Sequence, residues 1–526
     1  MSERIQDILS RWQASIGLEV HVELTSLETK LLCGCTLSRN AEPNTHVCPV
    51  CLGLPGALPV ANREAVLAVA RTGLALGCAV ERRSTFWRKH YFYPDMAKNF
   101  QTTQGPVAIC MGGSVEVELD AEAARERPDA PALRPAPDGG YVTRIRIRRI
   151  HLEEDAAKMV HVGGSEGRIA GATHSLIDYN RAGTPLMELV CEPDLRTPAE
   201  ARRLVEHLRQ TLLALGVSDC SLEAGSLRVD ANVSLARAHA PELGTKCEMK
   251  NLNSLKSLHD ALAFEVRRQA ALLDAGEPVR QQTRHWEPTS RRTLPMRTKE
   301  AFDDYRLFPD PDLPPILISD DVVERLRTSL PELPAEKSAR YVSQLGLRRR
   351  EARMIAADPA LASLFEAALA VTPEAPATPE THATPETPAT PARDLATTAA
   401  NVIVNLRPAH GCLAAVQVRS IAQLLHDEAL TFAQARDVID AVAPTGEDPE
   451  RYVDAHGLRQ NSDREELAAV VDDVLARSED QVAQYRAGNT KVVGYLIGQC
   501  MREAGAAGNP KLFSALLRER LDAQGA

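Results

Sequence analysis

The sequence predicts an α/β (α+β) region built on a mainly antiparallel sheet, followed by an all-α region and a small all-α tail. Three observations carry this. Within residues 1–315, four segments alternate apolar and polar side chains with the period of two that a half-buried strand requires. Pro309–Pro315, PDPDLPP, then punctuates the chain, and beyond it the texture changes to segments rich in Leu, Ala and Arg at helical spacing. Finally, 526 residues is a length for several domains. The expected boundaries are 1–315, 316–410 and 411–526.

In chain order, Ile16–Leu24 comes first. Ile16, Leu18, Val20, Val22 and Leu24 share one face, with Glu19, His21 and Glu23 on the other at steps of about 6–7 Å. A loop with Cys33-x-Cys35, twelve residues, then Cys48-x-x-Cys51 follows. Asn62–Val80 reads as a helix. Phe86–Phe100, dense in aromatics and cations, reads as a loop or short strand. Val142–Arg149 sets Arg144, Arg146 and Arg148 against Ile145 and Ile147. Leu195–Leu215 reads as a helix with Pro198 in its first turn. Leu227–Ser234 alternates Arg228, Asp230 and Asn232 against apolar partners, and Lys246–Lys250 sets Lys246, Glu248 and Lys250 against Cys247 and Met249. A long amphipathic helix runs from near Ser254 to near Gly276. In residues 372–391 Thr-Pro-Glu recurs every six residues. With so much proline and little apolar bulk, that insert cannot build a core and is expected to be disordered or semi-rigid. The tail contains an apolar helix at Lys491–Met501.

Bulk properties exclude several classes. The net charge of −10 does not advertise a nucleic-acid binder, so such a partner would need a local basic surface. The start MSERIQDILSRW lacks the form of a signal peptide. The most apolar helix, Ala65–Val80, is interrupted by Arg71 and Thr72 and is too short for a bilayer. Eleven cysteines without secretory context point to a cytoplasmic protein with reduced thiols, some of them on a metal.

Any one alternating strand reads most simply as having a solvated face. Four together, mixing acids, bases and a histidine, read as the floor of a cleft. Carboxylates and imidazole there suit Mg²⁺, and Lys and Arg suit phosphate or carboxylate oxygens. Arg149–Lys158, RIHLEEDAAK, sets Glu153, Glu154 and Asp155 side by side with His151 at the head. Such a run is either a solvated helix N-terminus or a metal or ammonium site. No Gly-x-x-x-x-Gly-Lys-Ser/Thr loop, no Gly-x-Gly-x-x-Gly after a strand and no Gly-x-Ser-x-Gly elbow occurs. A nucleotide would therefore be handled from the sheet. The spacing of Cys33, Cys35, Cys48 and Cys51 suits a closed, structural zinc site. The remaining cysteines read as core thiols.

IGLEVHVEL, CPVCLGLPGALPVAN, RKHYFYPDMAKNFQ, HLEEDAAK, SLIDYNRAGTPLMELVCEPD, GSLRVDANVSL, KCEMKNLNSLKSL and MRTKEAFDDYRLFPDPDLPP together resemble the B subunit of the bacterial and organellar tRNA-dependent amidotransferase. The likeness runs from Ile16 to Pro315 and resumes in KVVGYLIGQCMREAG. It implies a cradle-shaped catalytic domain, a helical domain and a small tail that contacts tRNA. It also implies an ATP-dependent ligase with glutamine as amido donor. That enzyme phosphorylates the side-chain carboxylate of Glu-tRNA(Gln) or Asp-tRNA(Asn) with ATP and Mg²⁺, then amidates it with channelled ammonia. The ammonia comes from an amidase (glutaminase), the A component of the complex, and a small C component completes the heterotrimer. By the same resemblance Glu19, His21, Glu154, Asp230 and Glu248 are expected to be catalytic, with His21, Glu154 and Glu248 on magnesium. Glu153, Glu188 and Asn232 follow as second-rank candidates. Lys89, Tyr91 and Lys98 are expected at the ammonia channel, where Glu154 could also serve. The Thr-Pro-Glu repeat has no counterpart in the family.

Overall fold

The structure, a computed structural model, describes residues 3–38, 40–164, 171–238, 240–296, 305–371, 390–406, 408, 410–460, 463–505 and 508–523. The Thr-Pro-Glu repeat lies outside them apart from its last two residues, as does the whole RTKEAFDD stretch. The chain forms two compact units, Met1–Leu333 and Pro334–Ala526. Among the described residues no helix is long and apolar enough to cross a membrane.

The first unit is a sheet with helices on one face. Its principal strands are β1 (Trp12–Glu23), β2 (Phe86–His90), β3 (Phe100–Gln104), β4 (Ser114–Leu119), β5 (Tyr141–Glu154), β6 (Pro185–Cys191), β7 (Leu227–Arg237), β8 (Cys247–Lys250), β9 (Gln282–Glu287) and β10 (Arg292–Pro295). The main sheet runs β10-β9-β8-β7-β1-β6-β5 and continues into two short edge strands, Cys110–Met111 and Ala79–Val80. Pairing is antiparallel except between β8 and β9, so the expected mainly antiparallel sheet is present. β4 pairs with the first half of β5, and β2 and β3 form a small separate sheet with Phe308–Pro309.

Alternation along each strand decides what the sheet buries. Ile16, Leu18, Val20 and Val22 of β1, Val229, Ala231 and Val233 of β7, and Met187 and Leu189 of β6 are all buried in one cluster. Helices α1 (Ile5–Leu9), α2 (Arg63–Ala75), α3 (Pro198–Ala214) and α4 (Leu255–Asp274) contribute to the same core. α3 starts where the sequence says it should: Pro198 occupies its first turn and Thr197 Oγ1 accepts from the Glu200 N–H at 3.1 Å. Ser254 caps α4 in the same way. The helix expected over Asn62–Val80 is shorter. Asn62 caps it, but it stops at Ala75, and Gly77 with φ +70° turns the chain into the Ala79–Val80 edge strand. Phe86–Phe100, expected as loop or short strand, supplies β2 and the start of β3.

β5 carries the decisive irregularity. Val190 of β6 pairs with Arg149, whereas Cys191 pairs with Ile147, so β5 holds one extra residue there. This β-bulge shifts the alternation by one. Ile145 and Ile147 are buried before it, Ile150 and Leu152 after it. As a result Arg144, Arg146 and Arg148 share the polar face with Arg149, His151 and Glu153. The run HLEED ends a strand, not the start of a helix.

The second unit is all-α, as expected. Helices between Pro334 and Ala455 bury one cluster that includes Tyr341, Phe365, Ala399, Ile421 and Val438. Those between Arg464 and Ala523 bury another around Leu467, Leu496, Cys500 and Phe513. The expected apolar helix at Lys491–Met501 is there as Val492–Ala504. Residues on both sides of position 411 belong to the first of these clusters.

Candidate active site

The polar face of the main sheet is assembled by register. His21 of β1 stands opposite Glu188 of β6 on one side and Arg228 of β7 on the other, and Glu188 stands opposite His151 of β5. Two residues along β5, Glu153 comes to the same group. His21 Nε2 lies 3.7 Å from Glu153 Oε1 and 3.8 Å from Glu188 Oε2. Ligand atoms of His21, Glu153 and Glu188 all fall within 4.8 Å of one another. His151 Nε2 bridges the two acids, 2.8 Å from Glu188 Oε2 and 3.5 Å from Glu153 Oε2. Burial alone would lower the His151 pKa; the hydrogen bonds and charges of Glu153 and Glu188 outweigh it and push the imidazole up to about 9. Burial likewise works against an ionised Glu188. The His151 hydrogen bond, with the charges of His151, His21 and Arg149, nevertheless holds it down to about 2. Burial opposes an ionised Glu153 as well, and the His151 hydrogen bond and charge outweigh it and hold that carboxyl below its ordinary value, so one imidazole and two carboxylates converge. That donor set fits a hard divalent cation that keeps its remaining positions for water or phosphate.

A second group lies along the same face. Glu19 accepts from Asn232 Nδ2 at 3.3 Å, and Asn232 stands opposite Glu248. Lys250 Nζ donates to Asp230 at 3.0 Å and lies 3.2 Å from Glu248, whose other oxygen accepts from Thr283 at 2.8 Å. The charges of Asp230 and Glu248 overcome burial and raise Lys250 to about 12. Glu19 sits between the two groups. Burial raises its pKa, and the charges of Glu188, Glu248 and Asp230 add to that. It is the carboxylate on this face that most needs a cation.

Glu154 goes elsewhere. Consecutive strand residues face opposite sides, so Glu154 turns away from Glu153. It ion-pairs with Lys98 and accepts from the Thr102 N–H at 2.7 Å. Glu153 instead accepts from Thr103 Oγ1 at 3.2 Å. The expected trio of His21, Glu154 and Glu248 is thus not brought together. Glu248 is two strands from His21, and Glu154 is on the other side of β5. Of the expected channel residues, Lys98 meets Glu154. Lys89 lies over the Tyr305 ring at 4.7 Å, and Tyr91 stacks on Tyr93. Thr283 and Thr103 are not among the expected site residues; Lys250 is expected only as one cation of a polar strand face, and His151 only as the head of the acidic run. The signal for His151 and Glu153 was the apolar spacing 145, 147, 150, 152, which records the bulge.

Cys33, Cys35, Cys48 and Cys51 also converge, their sulfurs within 4.8 Å of one another, as tetrahedral zinc would require. The Cys33 hydrogen bond, the Cys48 N–H and the Lys30 ammonium push Cys51 down to about 4 despite burial. Lys30 is fully buried, its Nζ 3.6 Å from Cys51 Sγ and 3.2 Å from the Tyr179 carbonyl. It neutralises part of the thiolate charge. The knuckle abuts the Lys98 pair. Gly53, with φ +66°, packs so closely that a Cβ there would lie 2.8 Å from Lys98 Cγ.

A sheet that gathers imidazole, carboxylates and cations on one face, beside helices that only support it, is the catalytic domain of an enzyme working on anionic oxygen substrates. Residues 14–324 match the family described as the GatB/GatE catalytic domain, and residues 406–521 match the family described as the GatB domain. A protein of Anaeromyxobacter sp. (strain Fw109-5), named as the B subunit of aspartyl/glutamyl-tRNA(Asn/Gln) amidotransferase, is 42% identical over 98% of this chain and 99% of its own. Proteins of the same name from Frankia casuarinae and Geobacter sp. (strain M21) are 43% and 40% identical, over 98% and 97% of this chain and 97% and 99% of theirs. The chain belongs to the family of these amidotransferase B subunits.

Proposed function

We propose that this chain activates and amidates the side-chain carboxylate of glutamate on tRNA(Gln), aspartate on tRNA(Asn), or both, using ATP, as the names of its relatives indicate. The observation that carries the reading is the convergence of His21, Glu153 and Glu188 from three adjacent strands, with Glu19, Asp230, Glu248 and Lys250 on the same face.

A free carboxylate is a poor acyl donor, because its oxygen leaves badly. Attack of that oxygen on the γ-phosphorus of ATP releases ADP and makes phosphate the leaving group. Ammonia then attacks the acyl carbon, and phosphate departs. Phosphoryl transfer is catalysed mainly by positioning and charge neutralisation. His21, Glu153 and Glu188 would hold Mg²⁺, which would supply charge neutralisation for the transferring phosphoryl group. His151 keeps both acids ionised and oriented. Lys250 and Arg228 present cations to phosphate or to the tRNA-borne carboxylate. On the far side of β5, the Lys98–Glu154 pair is set to receive ammonia, which Glu154 would hold by accepting a hydrogen bond. Adjacent residues of one strand thus serve two compartments.

The partners we infer are an amidase (glutaminase) as the A component, a small C component and the misacylated tRNA, in the cytoplasm. Residues 1–315 are the proposed catalytic domain, 316–410 a helical domain and 411–526 a tRNA-contacting tail, the last supported by the match over 406–521. Structural zinc at the four cysteines is part of the same proposal. The test is phosphate release from ATP with Glu-tRNA(Gln) present and no ammonia donor. Release that depends on the charged tRNA is expected. Its absence with folded, tRNA-bound protein would favour a non-catalytic scaffold.

A further inference from the structure

Beside the acidic face lies a basic depression of about 670 Å³, lined by Arg127, Arg144, Arg146, Arg148 and Arg196 against Glu192 and Asp194. Two of the five cations are spent. Arg127 pairs with Asp129 and the buried Glu200. Arg196 Nη1 donates to the carbonyls of Ala14 and Pro193 and to Ser15 Oγ. The other three form a strip on the polar face of β5, Arg144 and Arg146 before the bulge and Arg148 as its extra residue, and all three are exposed.

Their partners fix the strip without exhausting it. Arg146 gives Nε and Nη2 to Asp194 at 2.9 and 2.7 Å; Arg148 gives Nε and Nη2 to Glu192 at 2.9 and 2.8 Å. Neither spends Nη1 on a partner among the described residues. Arg144 gives only Nε, to Ser114 Oγ at 2.8 Å, and pairs with no carboxylate among them. A guanidinium has five donors, so each keeps donors for an incoming anion. Exposed ion pairs contribute little, so a phosphate can compete for them. Side chains two apart on a strand face recur every 6–7 Å or so, comparable to the separation of successive phosphates in an extended nucleic-acid strand. The strip also points at the chemistry. Arg148 is within electrostatic reach of Glu19, and Glu153 lies roughly 15 Å from Arg148 and roughly 30 Å from Arg144 along β5. An aminoacyl ester at the end of a few unpaired nucleotides covers such a distance.

We infer that Arg144, Arg146 and Arg148 form a phosphate track for the unpaired 3′ end of the tRNA, delivering its aminoacyl group to the His21–Glu153–Glu188 site. This rests on the function proposed above and adds the residues that hold the substrate's backbone. Single-stranded nucleic acid is commonly held in such charged grooves, and each phosphate contact contributes about 0.7 to the slope of log K against log salt.

The test compares the wild-type full chain with Arg144→Gln/Arg146→Gln/Arg148→Gln. Affinity for tRNA is measured across a salt series, and KM for charged tRNA and for ATP is measured in the complex the chain purifies with. The triple variant is expected to lose about 2 from the salt slope and to raise KM for charged tRNA, with KM for ATP unchanged. Arg144→Gln alone leaves both ion pairs intact and should lose about 0.7 with an unchanged melting temperature, which guards against a folding defect. An unchanged slope in both variants overturns the inference. A rise in KM for ATP with tRNA binding intact also overturns it and assigns the strip to the nucleotide. If wild-type protein neither binds tRNA nor cleaves ATP in its presence, the proposed function itself fails.

Discussion

Removing the Glu154 carboxylate separates its structural role from its chemical one. The Lys98–Glu154 pair is nearly dry, its side chains 13% and 4% exposed, and Glu154 also accepts from Thr102. Breaking a buried pair from one side costs about 3–5 kcal/mol, because the remaining charge stays buried and uncompensated. Glu154→Gln keeps an acceptor for Thr102 and for the Lys98 ammonium, so about 3 kcal/mol is expected. Lys98→Met leaves a buried carboxylate with one N–H and should cost about the same. The double variant removes both charges and should cost no more than about 1–2 kcal/mol. At roughly 2 °C per kcal/mol for a unit of this size, the single variants should melt about 6 °C low and the double about 2–4 °C low. The assay is thermal unfolding of all four proteins, with glutamine-dependent amidation and tRNA-dependent ATP cleavage measured on each. Amidation should fall in every variant while ATP cleavage persists. Additive losses in melting temperature, or ATP cleavage lost together with amidation, would refute the separation.

Other outcomes follow from the same geometry. Glu19 is raised by burial and by three neighbouring acids, so Glu19→Gln should abolish ATP cleavage while stabilising the metal-free chain by about 1 kcal/mol, read as a higher melting temperature. Cys48→Ser should drop zinc, measured by elemental analysis, from about one ion per chain to a small fraction, and lower the melting temperature with it. Burial, reinforced by Arg203, pushes His207 down to about 4. Its folded value lies below the ordinary imidazole range near 6.5, so its contribution to stability is complete above that range and is lost as pH falls from about 6.5 to 4. The loss is about 3 kcal/mol at most, and His207→Gln should flatten the melting temperature across that interval.

Much of the sheet was legible because its strands alternate cleanly. Glu19, His21, Asp230, Asn232 and Glu248 were each placed on a polar face by parity alone, and the four cysteines by spacing. The choice between Glu153 and Glu154 was not made by parity. Counting by twos from Arg144 through Arg148 puts Glu154 on the polar face, and the bulge reverses that count. The sequence does record the bulge, in the step from Ile147 to Ile150. That step also fits a helical period, and three adjacent acids suit a helix N-terminus as well as a site, so RIHLEED alone does not decide between them. Pairings such as His21 with Glu188 depend on which strands become neighbours, and β1 lies between partners more than 160 residues away. Nothing local in β1 names them. The separation at Leu333 is likewise a property of packing, since Ile318 and Val323 still belong to the first core beyond the proline-rich punctuation.

The central claim is that two adjacent glutamates of β5 serve different steps, Glu153 phosphoryl transfer and Glu154 ammonia delivery. Phosphate release from labelled ATP, with Glu-tRNA(Gln) and no ammonia donor, tests it directly in Glu153→Gln and Glu154→Gln side by side. Glu153→Gln should lose about a hundredfold or more, and Glu154→Gln should stay close to wild type. The reverse pattern, or equal loss in both, would contradict the assignment.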